Sequence, residues 1–181
     1  MRPAAPIAAV AVLAVVAASG SDRHALASTQ SPTVELFGEG VISTALDELN
    51  AAFTPDGRAL YYTINAPDNR LGVIVVSRRR GNAWSPPEVA PFSGRYSDYD
   101  PFLSADGARL FFVSNRPAGP TDSTTDFDVW MVERAGDRWA EPRNLGAPVN
   151  TPRDEFYPSV ASDGTIYFSA VRDSGGQGGF D

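Results

Sequence analysis

Three stretches of this chain repeat one another, and that repetition limits the possible folds more than any other feature. They are Glu48-Leu-Asn-Ala-Ala-Phe-Thr-Pro-Asp-Gly57, Asp98-Tyr-Asp-Pro-Phe-Leu-Ser-Ala-Asp-Gly107 and Glu155-Phe-Tyr-Pro-Ser-Val-Ala-Ser-Asp-Gly164. Each opens on a carboxylate (Glu48, Asp98, Glu155) and reaches an Asp-Gly pair eight residues later (Asp56-Gly57, Asp106-Gly107, Asp163-Gly164). An aromatic pair follows every time: Tyr61-Tyr62, Phe111-Phe112, Tyr167-Phe168. The Asp-Gly pairs lie 50 and then 57 residues apart. Trp84 and Trp139 are spaced by 55, each with a proline three residues on.

Asp-Gly between short apolar runs signals a hairpin turn, because glycine adopts positive φ without a Cβ penalty. In the second copy, strands are expected at 101–104, 109–114 and 127–133, with a short fourth at 139–145. Pro142 suits that last strand to an edge. The first copy reads the same way at 49–54, 59–64, 73–78 and about 84–89. No segment after residue 28 has sustained helical periodicity. A repeated four-stranded unit of this length predicts an all-β chain of antiparallel β-propeller blades. Blade 1 is expected at about 46–95, blade 2 at 96–150 and a truncated blade 3 at 151–181. Residues 34–37 share the grammar that precedes a blade and are expected to form the outermost strand of the last one. Gly179-Phe180-Asp181 matches the start of the third strand in blade 2. About two and a half blades cannot close a ring that needs 4–8, so the expectation is part of a longer propeller.

Residues 1–27 read as a signal peptide. Arg2 is followed by a twelve-residue apolar run at 7–18; Ala25-Leu-Ala27 offers an A-x-A cleavage site before Ser28, and Ala18-Ser-Gly20 a second, weaker one. The run is shorter than the roughly 20 residues that span a bilayer, so no permanent membrane span is expected after cleavage. A periplasmic or extracellular location follows. The composition excludes several chemistries. There is no cysteine and a single histidine, His24, within the expected signal segment; all 15 basic residues are arginine. Disulfides, thiolate metal sites, Ser/His/Asp catalysis in the mature chain and lysine Schiff bases are therefore out of reach. A net charge of −7 makes nucleic acid an unsuitable partner.

Pro101-Phe-Leu-Ser-Ala-Asp-Gly-Ala-Arg-Leu-Phe-Phe-Val-Ser-Asn-Arg-Pro117, Asp128-Val-Trp-Met-Val-Glu133, Asn144-Leu-Gly-Ala-Pro-Val-Asn150 and Asp154-Glu-Phe-Tyr-Pro158 resemble TolB-like β-propeller repeats. These WD-repeat-like repeats belong to exported bacterial proteins, and the resemblance covers about residues 34–181. It implies a non-catalytic scaffold that binds a protein or cell-envelope partner. The alternative it leaves open is the propeller portion of a hydrolase, sialidase-like or prolyl-oligopeptidase-associated, with catalytic residues outside this chain. The first copy departs from the pattern, with Asn65-Ala-Pro67 where the second has Asn115-Arg-Pro117.

Several residues invite a sharper chemistry. Asp98/Asp100, Asp126/Asp128 and Asp154/Glu155 are close carboxylate pairs, but Ca²⁺ needs about 6–8 oxygen ligands. The loop at 122–128 lacks the glycine and distal glutamate of an EF-hand. Recurrence of Glu48, Asp98 and Glu155 at equivalent positions points to a structural role in every blade. Arg116 and Arg172 follow the second strand of their blades and could grip a carboxylate ligand; pairing of Arg116 with Asp98 or Asp128 is the expectation. Trp84 and Trp139 could stack on sugars, yet their spacing favours blade-to-blade packing. The arginines at 78–80 are expected in a solvated turn. No catalytic residue, cofactor or metal ligand is assigned.

Overall fold

The Asp-Gly turns form as the repeats predict. The computed structural model describes residues 34–67 and 71–171. The expected signal peptide, Arg172 and the strand start at 179–181 lie outside the described residues. Gly57, Gly107 and Gly164 all have positive φ, at 65, 68 and 88°. The aspartate before each glycine closes the turn through its Oδ1. Asp56 accepts from Thr54 Oγ1 at 2.7 Å and from the Arg58 amide at 3.0 Å. Asp106 accepts from Ser104 Oγ at 2.6 Å and the Ala108 amide at 2.9 Å, and Asp163 from the Thr165 amide at 2.9 Å. Side chains that fold back on local amides favour turns over ladders.

The described residues are all-β, with no helix among them. The first sheet holds β1 (Asp47–Phe53), β2 (Ala59–Asn65), β3 (Gly72–Arg80), β4 (Ala83–Trp84) and β5 (Glu88–Val89). The second holds β6 (Asp98–Leu103), β7 (Arg109–Ser114), β8 (Asp128–Ala135), β9 (Arg138–Trp139) and β10 (Arg143–Asn144). A third contains β11 (Glu155–Val160) and β12 (Ile166–Ala170). Pairing within the sheets is antiparallel, each of the first three strands beside its sequence neighbour. From Glu35 onward the described residues belong to one compact unit.

Two expectations need correction. The fourth strand of each large sheet is not continuous but broken into two two-residue pieces, β4 and β5 on β3, β9 and β10 on β8. Pro86, Pro87 and Pro142 sit in the breaks and have no N–H to donate. The first strands begin earlier than 49 and 101, because the opening carboxylates are themselves in the ladder: Glu48 pairs with Ile64 and Asp98 with Ser114. Residues 34–37 pair with no strand among the described residues, and the last blade they are expected to complete is not among those residues. Gly38 and Gly40, at φ 60 and 77°, turn the chain there, and the Phe37 ring packs on Phe53 and Trp84 with centroids 5.6 and 5.7 Å away.

The core explains why β2 and β3 read as unbroken apolar runs. Side chains alternate across a strand, and here both faces are covered. Tyr61, Ile74 and Val76 face Leu103, Leu110, Phe112, Trp130 and Val132 of the second sheet, with Phe92 between them. Leu60, Tyr62 and Val75 point the other way, onto Ile42. Fully burying each such side chain contributes about 1.5–3 kcal/mol.

Candidate functional site

Asn50, Asp100 and Tyr157 occupy the same place in the three copies, two residues after the opening carboxylate. All three have left-handed backbone, at φ 50, 54 and 55°. Each coincides with a register shift in its first strand, between Leu49 and Ala52, Tyr99 and Phe102, Phe156 and Ser159. A bulge of this kind re-aims a side chain out of the pleat. Here it gathers the three positions: Asp100 Oδ1 accepts from Asn50 Nδ2, and its Oδ2 accepts from the Tyr157 amide at 2.9 Å.

These residues line a pocket of about 460 Å³. Its walls are Leu49 and Asn50 of β1, Tyr99 and Asp100 of β6, Phe156 and Tyr157 of β11, Phe127 before β8, and the polar Ser97 and Asn115. The rings form a chain of contacts, Tyr99–Phe127 at 5.8 Å, Phe127–Phe156 at 5.2 Å and Phe156–Tyr157 at 6.2 Å between centroids. Gly72 gives Tyr99 its place: a Cβ there would lie 2.4 Å from the ring. Asp100 is buried, and burial raises its carboxyl above the ordinary 3.8, offset in part by the bonds from Tyr157 and Asn50.

The anchor residues serve the sheets. Asp98 is wholly buried and pairs with Arg116 at 2.7 Å, taking a second bond from Ser93 Oγ at 2.7 Å. Arg116 also donates to the Phe92 carbonyl and Ser114 Oγ, and its guanidinium lies over the Phe112 and Trp130 rings. Glu48 and Glu155 are clasped instead by the threonine four residues before them. Thr44 bonds Glu48 through its amide and hydroxyl, and Thr151 bonds Glu155 at 3.2 and 2.6 Å. Glu48 is partly exposed, so Ala66 in the Arg116 position leaves no buried charge unpaired. Asp128 accepts from Asn144 Nδ2 at 2.7 Å, and burial raises its carboxyl.

Trp139 spans the two large sheets, its Nε1 donating to Tyr61 Oη at 3.0 Å. Trp84 lies on the opposite side of the first sheet, against Phe37 and Phe53. Asp122 accepts from the Ala118 amide and from the amide and hydroxyl of Thr124, so its loop is closed on itself. No group of three His, Cys, Asp or Glu among the described residues is arranged to hold a metal ion. Arg78 to Arg80 are exposed at the end of β3, and Arg78 pairs with Glu88 at 2.9 Å.

The pocket was not anticipated from the pattern. Asn50, Asp100 and Tyr157 share a backbone state rather than a side-chain chemistry, and only the Asn and Asp hint at left-handed φ. No family model matches the chain, and no curated protein matches it.

Proposed function

We propose that this chain contributes blades to an exported, TolB-like β-propeller that acts without catalysis, binding a protein or cell-envelope partner. The observation that carries this is the convergence of Asn50, Asp100 and Tyr157, one from each repeat, on a single pocket. Equivalent positions of successive first strands meet around an axis when blades are arranged radially. The meander order of the two large sheets supports the same reading. The conserved grammar of each copy goes into turns, carboxylate clasps and inter-sheet packing, while the pocket is lined by residues that differ between copies.

Capture from a cell-envelope extract on the immobilised chain tests it. A partner retained at physiological salt by the natural sequence and lost by Asp100→Asn is the expected result. Recovery of no partner, or equal recovery by the variant, counts against it. Export is tested separately: the mature protein in the periplasm or medium begins at Ser28, read by intact mass.

A further inference from the structure

We propose that the pocket between β1, β6 and β11 binds a small organic cation, an ammonium group on an apolar body, held by the Asp100 carboxylate and the surrounding aromatic rings. The inference rests on reading this pocket as the binding site and adds the chemistry of what it takes.

Two aspartates of the same strand make the case by contrast. Asp98 and Asp100 are both buried, at 0 and 6% exposure. Asp98 has its own counter-ion in Arg116. Asp100 has two neutral donors, Asn50 Nδ2 and the Tyr157 amide, and no cation among the described residues. A carboxylate offers about four acceptor sites, so capacity remains on a group whose charge is otherwise costly to bury. Among the described residues no arginine lines the pocket. Asp100 would therefore repel an anionic ligand, whereas a cation would supply a counter-charge.

The walls suit the same ligand. Tyr99, Phe127, Phe156 and Tyr157 all border the space. Aromatic faces carry negative quadrupole charge and attract ammonium groups. The volume of about 460 Å³ lies within the range of small-molecule sites. A tyrosine held at φ 55° is unusual for so bulky a side chain, and strained backbone clusters at ligand clamps.

The test compares choline with 3,3-dimethyl-1-butanol, its neutral isostere, by calorimetric titration of the chain. Choline should bind saturably and about tenfold more tightly than the alcohol. Asp100→Asn keeps a residue that tolerates left-handed φ and removes the charge; it should abolish that preference. Phe127→Leu keeps apolar volume and removes a ring; it should weaken choline several-fold and leave the alcohol unchanged. Equal affinity for both probes, no saturable choline binding, or choline binding indifferent to both variants overturns the proposal. Loss of envelope capture by Asp100→Asn without choline binding refutes the cation while leaving the binding function in place. Failure of both removes the site altogether.

Discussion

Trp139 Nε1 donates a hydrogen bond to Tyr61 Oη across the seam between two sheets, 78 residues apart in the chain. The rings meet edge to face with centroids 6.1 Å apart. Tyr61 is buried, so its hydroxyl has lost water in exchange for this one indole. Trp139→Phe should cost about 1–3 kcal/mol in denaturant unfolding, since it strands the tyrosine hydroxyl. Tyr61→Phe should cost less. The double variant measures the coupling, expected at about 1 kcal/mol; strict additivity would mean the bond contributes nothing.

Arg116 and Asp98 form the most buried ion pair described, at 9 and 0% side-chain exposure. Arg116→Ala leaves Asp98 charged in the interior and should destabilise the chain by about 3–5 kcal/mol. Asp98→Asn combined with Arg116→Met removes both charges and should recover much of that loss. A double variant no more stable than Arg116→Ala would show that packing over Phe112 and Trp130, not charge, is what Arg116 provides.

Asp100 predicts a pH dependence of definite sign. Burial raises its folded-state value above 3.8, so folding takes up a proton between the two values. The associated stability is present below 3.8 and lost as pH rises through the folded value. Compared with Asp100→Asn, the natural chain should gain melting temperature as pH falls from 7 towards 4. Asp106 has the opposite sign. Its value is lowered by the Ser104 hydroxyl first and the Ala108 amide second, so its contribution is present above 3.8 and lost on acidification. Parallel melting curves for Asp100→Asn and the natural chain at every pH would contradict the assignment.

Tyr157 should be improvable. Left-handed backbone costs an ordinary residue about 1–2 kcal/mol, and Asn tolerates it better. The residue is 64% exposed, so little burial is given up. Tyr157→Asn should stabilise the chain by about 1 kcal/mol in thermal or denaturant unfolding, while weakening choline binding through loss of a ring. A destabilised variant would mean the Phe156 contact outweighs the strain.

Gly72→Ala probes the wall of the pocket. The new methyl would collide with the Tyr99 ring at 2.4 Å, and overpacking of this kind costs about 1–3 kcal/mol. Because Tyr99 must swing away, ligand affinity should fall along with stability. Unchanged affinity would show that Tyr99 does not shape the site.

Much of the fold is legible in the residues. The Asp-Gly pairs locate three turns because only glycine takes the required φ cheaply, and the apolar runs around Tyr61 and Phe112 mark central strands. The Asn115-Arg116-Pro117 pattern leads to the carboxylate that Arg116 pairs with, though not to the choice between Asp98 and Asp128. The broken fourth strands lie less open to view: the prolines are visible, but both fragments of each pair still dock on β3 or β8. The pocket is the least visible part. It depends on bulges that bring Asn50, Asp100 and Tyr157 together from positions over a hundred residues apart at the extremes. Three unlike side chains in one backbone state leave no linear signature.

Among the described residues, no main-chain hydrogen bond joins the first sheet to the second. The join is made through side chains: Phe92, Phe112, Trp130 and Trp139 pack against Tyr61, Ile74 and Val76, Asn50 bonds Asp100, and the Gly72 and Ile74 amides of β3 donate to the Ser97 and Ser93 hydroxyls. The angle between neighbouring sheets is thus a matter of side-chain volume and side-chain hydrogen bonds, both adjustable by single substitutions. Curvature in such a chain can drift, residue by residue, while the strands themselves stay the same.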